Sequence, residues 1–215
     1  MGRKNEPGPS SENAGDFADP MNLAGSGAGG HLANFIYAVR SGKREDLRAE
    51  IRKCRGLTDK PFGVNLSLFP ALRPIDNDLY VAVILEEGVP IVETSGHRPP
   101  EDLLARLQAN GVKTMHKCVS PKHALSAQRA GVDAVTIFGT EGGGHIGETG
   151  LSTMVLVPRT ADALDVPLLA AGGIADGRGL AAALALGADG VTIGTRLLVT
   201  EECPIHPNIK QALIA

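Results

Sequence analysis

Two glycine-rich stretches hold the residues whose types and spacing suit chemistry. In PLLAAGGIADGRGLAAALALGADGVTIGTR, Pro167 to Arg196, one β-like run ends in Gly172–Gly173 and the next ends in Gly194–Thr195. Glycine lets an anion approach the main chain, and bare amides at adjacent strand ends beside a short helix N-terminus make a phosphate site. The plainer reading of any one glycine pair is a tight turn. Two such turns side by side, with Asp176 placed to cap the helix between them, favour phosphate binding. The second stretch, FGTEGGGHIGETG from Phe138 to Gly150, follows another β-like run and is too glycine-rich for a plain connection. It sets His145 among glycines with no apolar face to pack into. Imidazole takes a weakly acidic proton near neutral pH, so His145 is the candidate base. A surface or structural histidine is the alternative. Dinucleotide-fingerprint logic does not fit this loop, which opens no βαβ unit with a ribose-binding acid downstream.

Smaller signals stand at other strand ends: Asn65 in PFGVNLSL, Thr94 and Ser95 in VETSG, and Lys117 in MHKC. Each is expected to face the same rim. Asn65 could hydrogen-bond a flat heterocycle or simply cap a turn. Lys117 could stabilise negative charge on a reduced cofactor or be a solvated lysine. Alternation along a strand puts His116 on the face opposite Lys117, outside the mouth of the fold. His206, just before Pro207, reads as loop-shaping.

The elements that must carry these residues are legible as a repeat. EEGVPIVET, ANGVKTMHK, RAGVDAVTIF and ALGADGVTIG each place a glycine after an amphipathic stretch and a β-branched run after the glycine. Gly88, Gly111, Gly131 and Gly187 sit where a helix end needs positive φ, and Val-rich runs follow as buried parallel strands do. Seven strands are expected, at Leu32–Val39, Phe62–Leu66, Pro90–Thr94, Lys113–Val119, Ala134–Phe138, Pro167–Ala171 and Gly190–Gly194. Helices are expected between them, centred near Leu47, Ile84, Leu104, Leu125, Thr160 and Ala183. Steady alternation with one-helix crossovers is α/β architecture, and the glycine motifs favour a TIM (β/α)8 barrel over an open doubly wound sheet. A closed barrel has eight strands in about 250 residues. The expected fold is therefore such a barrel without a recognisable first strand.

A chain of 215 residues with net charge −3 fits one globular domain and offers no basic surface to a nucleic-acid backbone. Residues 1–30, rich in Gly, Ser, Pro, Asn and Ala, read as a flexible low-complexity tail, and 31–215 as a single incomplete barrel domain. No run is apolar enough to cross a membrane, and the opening residues carry no secretion or transit pattern. Cys54, Cys118 and Cys203 are odd in number and form no C-x-x-C pair. That argues against a disulfide framework or a zinc site and for reduced thiols in a cytoplasmic setting.

Taken together, DKPFGVNL, VPIVETSG, HKCVSPKHALSAQRAGVDAV, GTEGGGHIGE, LVPR, AAGGIADGRGLAAALALGADGV, GTR and HPNIK resemble the nitronate monooxygenase family. That family was formerly called 2-nitropropane dioxygenases and includes flavin-dependent enoyl-ACP reductases. The resemblance runs from about Ser41 to the end and implies a barrel that binds FMN. It assigns Asn65, Lys117, Gly143, Gly172, Gly173, Thr192, Ile193, Gly194 and Thr195 to the flavin or its phosphate, and makes His145 the catalytic histidine. The implied reaction is oxidation of an alkyl nitronate or nitroalkane by O2 through FMN, with no metal. The implied alternative is NADH-dependent enoyl-ACP reduction on the same fold. Three departures are visible. ADPMNLAGSGAGG stands where the family has a Gly-Gly-Met-like turn, and Phe138 stands where Gln or Glu is common. The sequence also stops after HPNIK, where relatives carry a C-terminal extension. Open sheet edges left by a missing strand favour association into a homo-oligomer, and a non-catalytic barrel remnant is a further alternative.

Overall fold

The computed structural model describes residues 34–37, 44–68, 76–96, 98–143, 150–203 and 205–214. Residues 1–32 lie outside the described residues, and everything described belongs to the unit Ala33–Ala215. In that unit the strands are β1 (Asn34–Tyr37), β2 (Phe62–Ser67), β3 (Ile91–Ser95), β4 (Lys113–Cys118), β5 (Ala134–Phe138), β6 (Leu168–Ala171) and β7 (Gly190–Thr192). Helices α1 (Arg44–Leu57), α2 (Asn77–Glu86), α3 (Glu101–Ala109), α4 (Pro121–Arg129), α5 (Thr153–Ala161) and α6 (Gly177–Ala185) alternate with them. Two further helices, α7 (Thr195–Leu198) and α8 (Pro207–Ile214), follow β7.

All neighbouring strands pair in parallel and in chain order, β1 to β7. A helix crosses over between each successive pair, which is the arrangement of a (β/α)8 barrel with one strand fewer. Among the described residues β7 and β1 are not paired, so the ladder stays open at both ends.

The repeat seen in the sequence has a physical basis. Gly88, Gly111, Gly131 and Gly187 all take positive φ, between 61° and 96°, and turn the chain out of a helix towards the next strand. Asp133 and Asp189 occupy the same place in two copies of the repeat, just before β5 and β7. Each carboxylate accepts an amide at the start of the strand before its own: Thr114 N, second in β4, at 2.8 Å and Leu168 N, first in β6, at 2.8 Å. These bonds hold the register at the N-terminal end of the sheet.

Helix starts follow from side-chain caps. Asp76, Ser120 and Asp176 accept from the first free amides of α2, α4 and α6, and Pro121 supplies the preset φ at the start of α4. The helix-facing sides of the strands fill two apolar clusters. Val64, Leu66 and Val92 pack with Leu47, Ile51 and Ile84, while Val135, Ile137, Leu168 and Ala170 pack with Leu104, Leu156 and Val157. Outside them, Arg48, Arg52 and Arg55 of α1 converge on Glu87 after α2. Hydrogen bonds led by Arg52 hold the Glu87 carboxyl at about 2, well below its ordinary value.

The strand boundaries fall close to those expected, with one instructive difference. β7 stops at Thr192 instead of continuing to Gly194. Gly194, at φ −113° and ψ −83°, has left the extended region and caps α7.

Candidate functional site

Strand parity sorts the candidate residues. With Val64, Val92, Val135 and Ala170 turned to the helices, Asn65, Glu93, Ser95, Lys117, Thr136 and Phe138 belong to the opposite, inner face. Register then brings them together: Asn65 pairs with Glu93, Ser95 with Lys117, and Lys117 with Thr136.

Glu93 is the centre of this group. It is 1% exposed and takes Asn65 Nδ2 on Oε2 at 2.9 Å, Lys117 Nζ on Oε2 at 2.9 Å, and Thr136 Oγ1 on Oε1 at 3.0 Å. Ser95 Oγ donates to Asn65 Oδ1 at 3.4 Å, so both ends of the Asn65 amide are accounted for. Asn65 is neither a turn cap nor exposed, and Lys117 is not a solvated lysine: its side chain is 18% exposed and ion-paired.

Thr94 departs from expectation. It faces the helices, fully buried, and its hydroxyl meets His116 Nδ1 at 2.8 Å. His116 stands on the face opposite Lys117, as alternation requires, and is also fully buried. Burial foremost, with a smaller contribution from His123, pushes its imidazole down to about 4 despite a backbone hydrogen bond at Gly96.

The glycine turns lie at the C-terminal ends of β5, β6 and β7. Gly172 and Gly173 take φ of 96° and 72°, which side chains rarely adopt. A Cβ on Gly172 would lie 2.9 Å from Thr153 Oγ1 and 3.1 Å from Gly142 N. The loop after β5 and the turn after β6 therefore touch at their main chains. Ala171 and Thr192 are register partners, so the ends of β6 and β7 are adjacent. Thr192 Oγ1 is buried with no hydrogen-bond partner among the described residues. Cβ atoms added at Gly143 or Gly194 would meet nothing within 4 Å among the described residues. Among the described residues no side chain caps α7 at Gly194. Asp176 by contrast already occupies the first amides of α6, accepting from Arg178 N at 2.9 Å and Gly179 N at 3.3 Å.

Thr153 and Glu141 hold the loop and the turn together. The Thr153 hydroxyl accepts from Gly139 N at 3.3 Å, and Ala171 O, Gly172 O and Glu141 Oε2 lie 3.0–3.1 Å from it to share its one proton. Glu141 also accepts the Thr153 amide at 3.0 Å, capping α5 from within the glycine-rich loop. Burial raises the Glu141 carboxyl, but hydrogen bonds from its own amide and from Thr153 outweigh that and hold it below its ordinary value. Phe138 lies on the inner face at the end of β5, 8% exposed, and a Cβ on Gly142 would fall 2.5 Å from its ring.

Of the candidate residues, Asn65, Lys117, Gly143, Gly172, Gly173, Thr192, Ile193, Gly194 and Thr195 fall at C-terminal strand ends or in the turns that follow them. His145 lies outside the described residues. Glu93, Thr136, Glu141 and Thr153 escaped the sequence reading. For Glu93 the signal was present: an acid flanked by Val92 and Thr94 inside an apolar run, two positions before Ser95, must share the face of Ser95. The Thr153 and Glu141 contacts cross between loops and leave no periodic trace.

Comparison with known proteins bears on what such a site does. The family model described as nitronate monooxygenase matches residues 14–215. The (3aS,4S,5R,7aS)-5-hydroxy-7a-methyl-1-oxo-octahydro-1H-indene-4-carboxyl-CoA dehydrogenase of Rhodococcus jostii (strain RHA1) is 40% identical over 201 residues, 94% of this chain and 54% of that protein. Among solved structures, FabK from Thermotoga maritima superposes with a TM-score of 0.71 at 45% identity, over 79% of this chain and 52% of that one. Nitroalkane oxidase from Streptomyces ansochromogenes superposes with a TM-score of 0.77 at 31% identity, over 84% of this chain and 62% of that one. The chain spans about half the length of the curated relatives it matches.

Proposed function

This chain belongs to the nitronate monooxygenase family, and we propose that it forms the FMN-holding part of an oxidoreductase that oxidises alkyl nitronates or nitroalkanes with O2. The observation that carries the proposal is the junction of β6 and β7. There Gly172–Gly173 turn with positive φ beside Thr192, whose buried hydroxyl has no partner among the described residues, and Gly194 leaves its surroundings clear. A phosphate suits those groups: it accepts hydrogen bonds only, and the Thr192 hydroxyl and the open turn at Gly194 offer it a donor and room to approach. The residues thus fit the phosphate end of FMN, with Gly172, Gly173, Thr192, Ile193, Gly194 and Thr195 around it.

Asn65 and Lys117 then stand on the inner face, where the ring system would lie, and Gly143 gives the loop after β5 room to approach it. FMN, when bound, supplies the electron acceptor that O2 reoxidises. His145, in the same loop as Gly143, removes the α-proton of a neutral nitroalkane or hydrogen-bonds the anionic nitronate. The test is oxygen consumption by the purified, FMN-loaded chain with a nitronate and with its parent nitroalkane. Absence of turnover of either substrate by a protein that retains FMN would remove this substrate class.

A second reading is favoured by the identities: FabK at 45% and the Rhodococcus CoA-thioester dehydrogenase at 40% exceed the nitroalkane oxidase at 31%. On that reading the same site exchanges electrons between a reduced nicotinamide, the flavin and an acyl thioester. Anaerobic bleaching of bound flavin by NADH separates the two. Among the described residues no helix is long and apolar enough to cross a membrane.

A further inference from the structure

Glu93 is buried within the sheet yet carries a carboxylate that three strands other than its own must satisfy: β2 through Asn65, β4 through Lys117 and β5 through Thr136. Withdrawing such a group from water is costly, and an apolar side chain of similar volume is often as stable or more so in such a place. The fold alone therefore has no need of an acid here. What the acid does is directional. An ionised carboxylate only accepts hydrogen bonds, so it dictates that Asn65 turns Nδ2 towards it and Oδ1 towards Ser95. It also draws the Lys117 ammonium down to 2.9 Å and offsets its charge.

We propose that Glu93 is the positioning residue of this site: it fixes the Asn65 amide and the Lys117 ammonium and, by neutralising Lys117, limits how strongly the inner face holds negative charge. The consequence for the cofactor rests on the FMN reading, because there Asn65 and Lys117 lie against the flavin. With Glu93 in place the ion pair adds no net charge. Without its carboxylate a half-buried cation would face the ring and favour the anionic reduced flavin over the neutral oxidised one.

The test has two arms on the full chain. In the first, the cofactor-free protein is treated with a small amine-acetylating reagent at fixed pH and modification at Lys117 is followed by peptide mass spectrometry. Glu93→Gln is expected to acetylate at Lys117 about tenfold faster than wild type, since the lost ion pair was restraining the amine. In the second, the midpoint potential of bound FMN is measured. It is expected to rise in Glu93→Gln, fall in Lys117→Met and return towards wild type in Glu93→Asp, which keeps the charge. A purely structural role for Glu93 would not move the potential in opposite directions in the two neutralising variants. Acetylation at the wild-type rate in Glu93→Gln would overturn the proposal, as would an unchanged potential in a variant that retains FMN. Wild-type protein that takes up no FMN would contradict the preceding reading, while the acetylation rate would still decide whether Glu93 holds Lys117. Should Glu93→Gln fail to fold, Glu93→Leu takes its place in the acetylation arm, and Lys117→Met, which has no amine left to acetylate, decides by the potential alone.

Discussion

Thr153 Oγ1 lies 3.1 Å from the carbonyl oxygen of Gly172, which ties the start of α5 to the turn after β6. The same oxygen accepts the Gly139 amide, so one hydroxyl bridges the beginning of the glycine-rich loop and the first half of the turn after β6. Replacing Thr153 by Val keeps the shape and deletes the bridge. Leaving the buried Gly139 amide without its acceptor costs about 1–3 kcal/mol, read by denaturant unfolding, and the loosened turn should weaken FMN binding in a titration of the apoprotein. Thr153→Ser should restore both, and a Val variant as stable and as tight as wild type would show that the bridge is incidental.

The glycines separate fold from binding. Gly172→Ala forces a side chain into φ 96° and towards Thr153 Oγ1, so it should destabilise by about 1–3 kcal/mol. Gly194→Ala has an allowed φ and open space around its Cβ, so thermal stability should change by no more than about 0.5 kcal/mol. Its methyl would nonetheless occupy the phosphate's approach, and FMN affinity should fall about tenfold, or roughly 1.4 kcal/mol. Equal FMN affinity in Gly194→Ala and wild type would move the phosphate elsewhere.

His145→Ala discriminates the two forms of the substrate. A preformed nitronate needs no proton removed, so the variant should lose about 10²-fold or more in turnover of the nitroalkane and markedly less for the nitronate. Steady-state oxygen consumption with each substrate provides the comparison. Equal losses would assign His145 to binding alone.

His116 predicts an acid limit to stability. Burial lowers its folded-state value from 6.5 to about 4, so between those values the unfolded chain binds the proton that the folded chain refuses. Stability attributable to this residue is whole above pH 6.5 and declines as pH falls towards 4, by on the order of 3 kcal/mol in all. Urea midpoints from pH 7 to pH 4 should show the decline, and His116→Gln should flatten it. A wild-type slope unchanged by that substitution would mean that other groups set it.

Much of this fold was legible because its repeat is written in residue types that have few other uses. Glycine after an amphipathic stretch marks the positive-φ helix end, as at Gly88, Gly111, Gly131 and Gly187, and the Val-rich run after it has nowhere to go but a buried parallel strand. The residues that position the site were harder to see. Thr94 and Ser95 cannot share one face of a strand, and the helix-facing place of Thr94 shows in its pairing with the buried His116 on the next strand. Thr153 and Glu141 act across a loop crossing that no local pattern encodes. Gly194 reads as the end of a strand until its backbone is seen to turn two residues after Thr192.

The most direct measurement is the visible absorption spectrum of the purified chain after incubation with FMN and removal of the excess, with the cofactor identified after heat release. One FMN per chain is expected, held about tenfold more weakly in Gly194→Ala while the fold persists. A folded, colourless wild-type protein that cannot be loaded with FMN would contradict it.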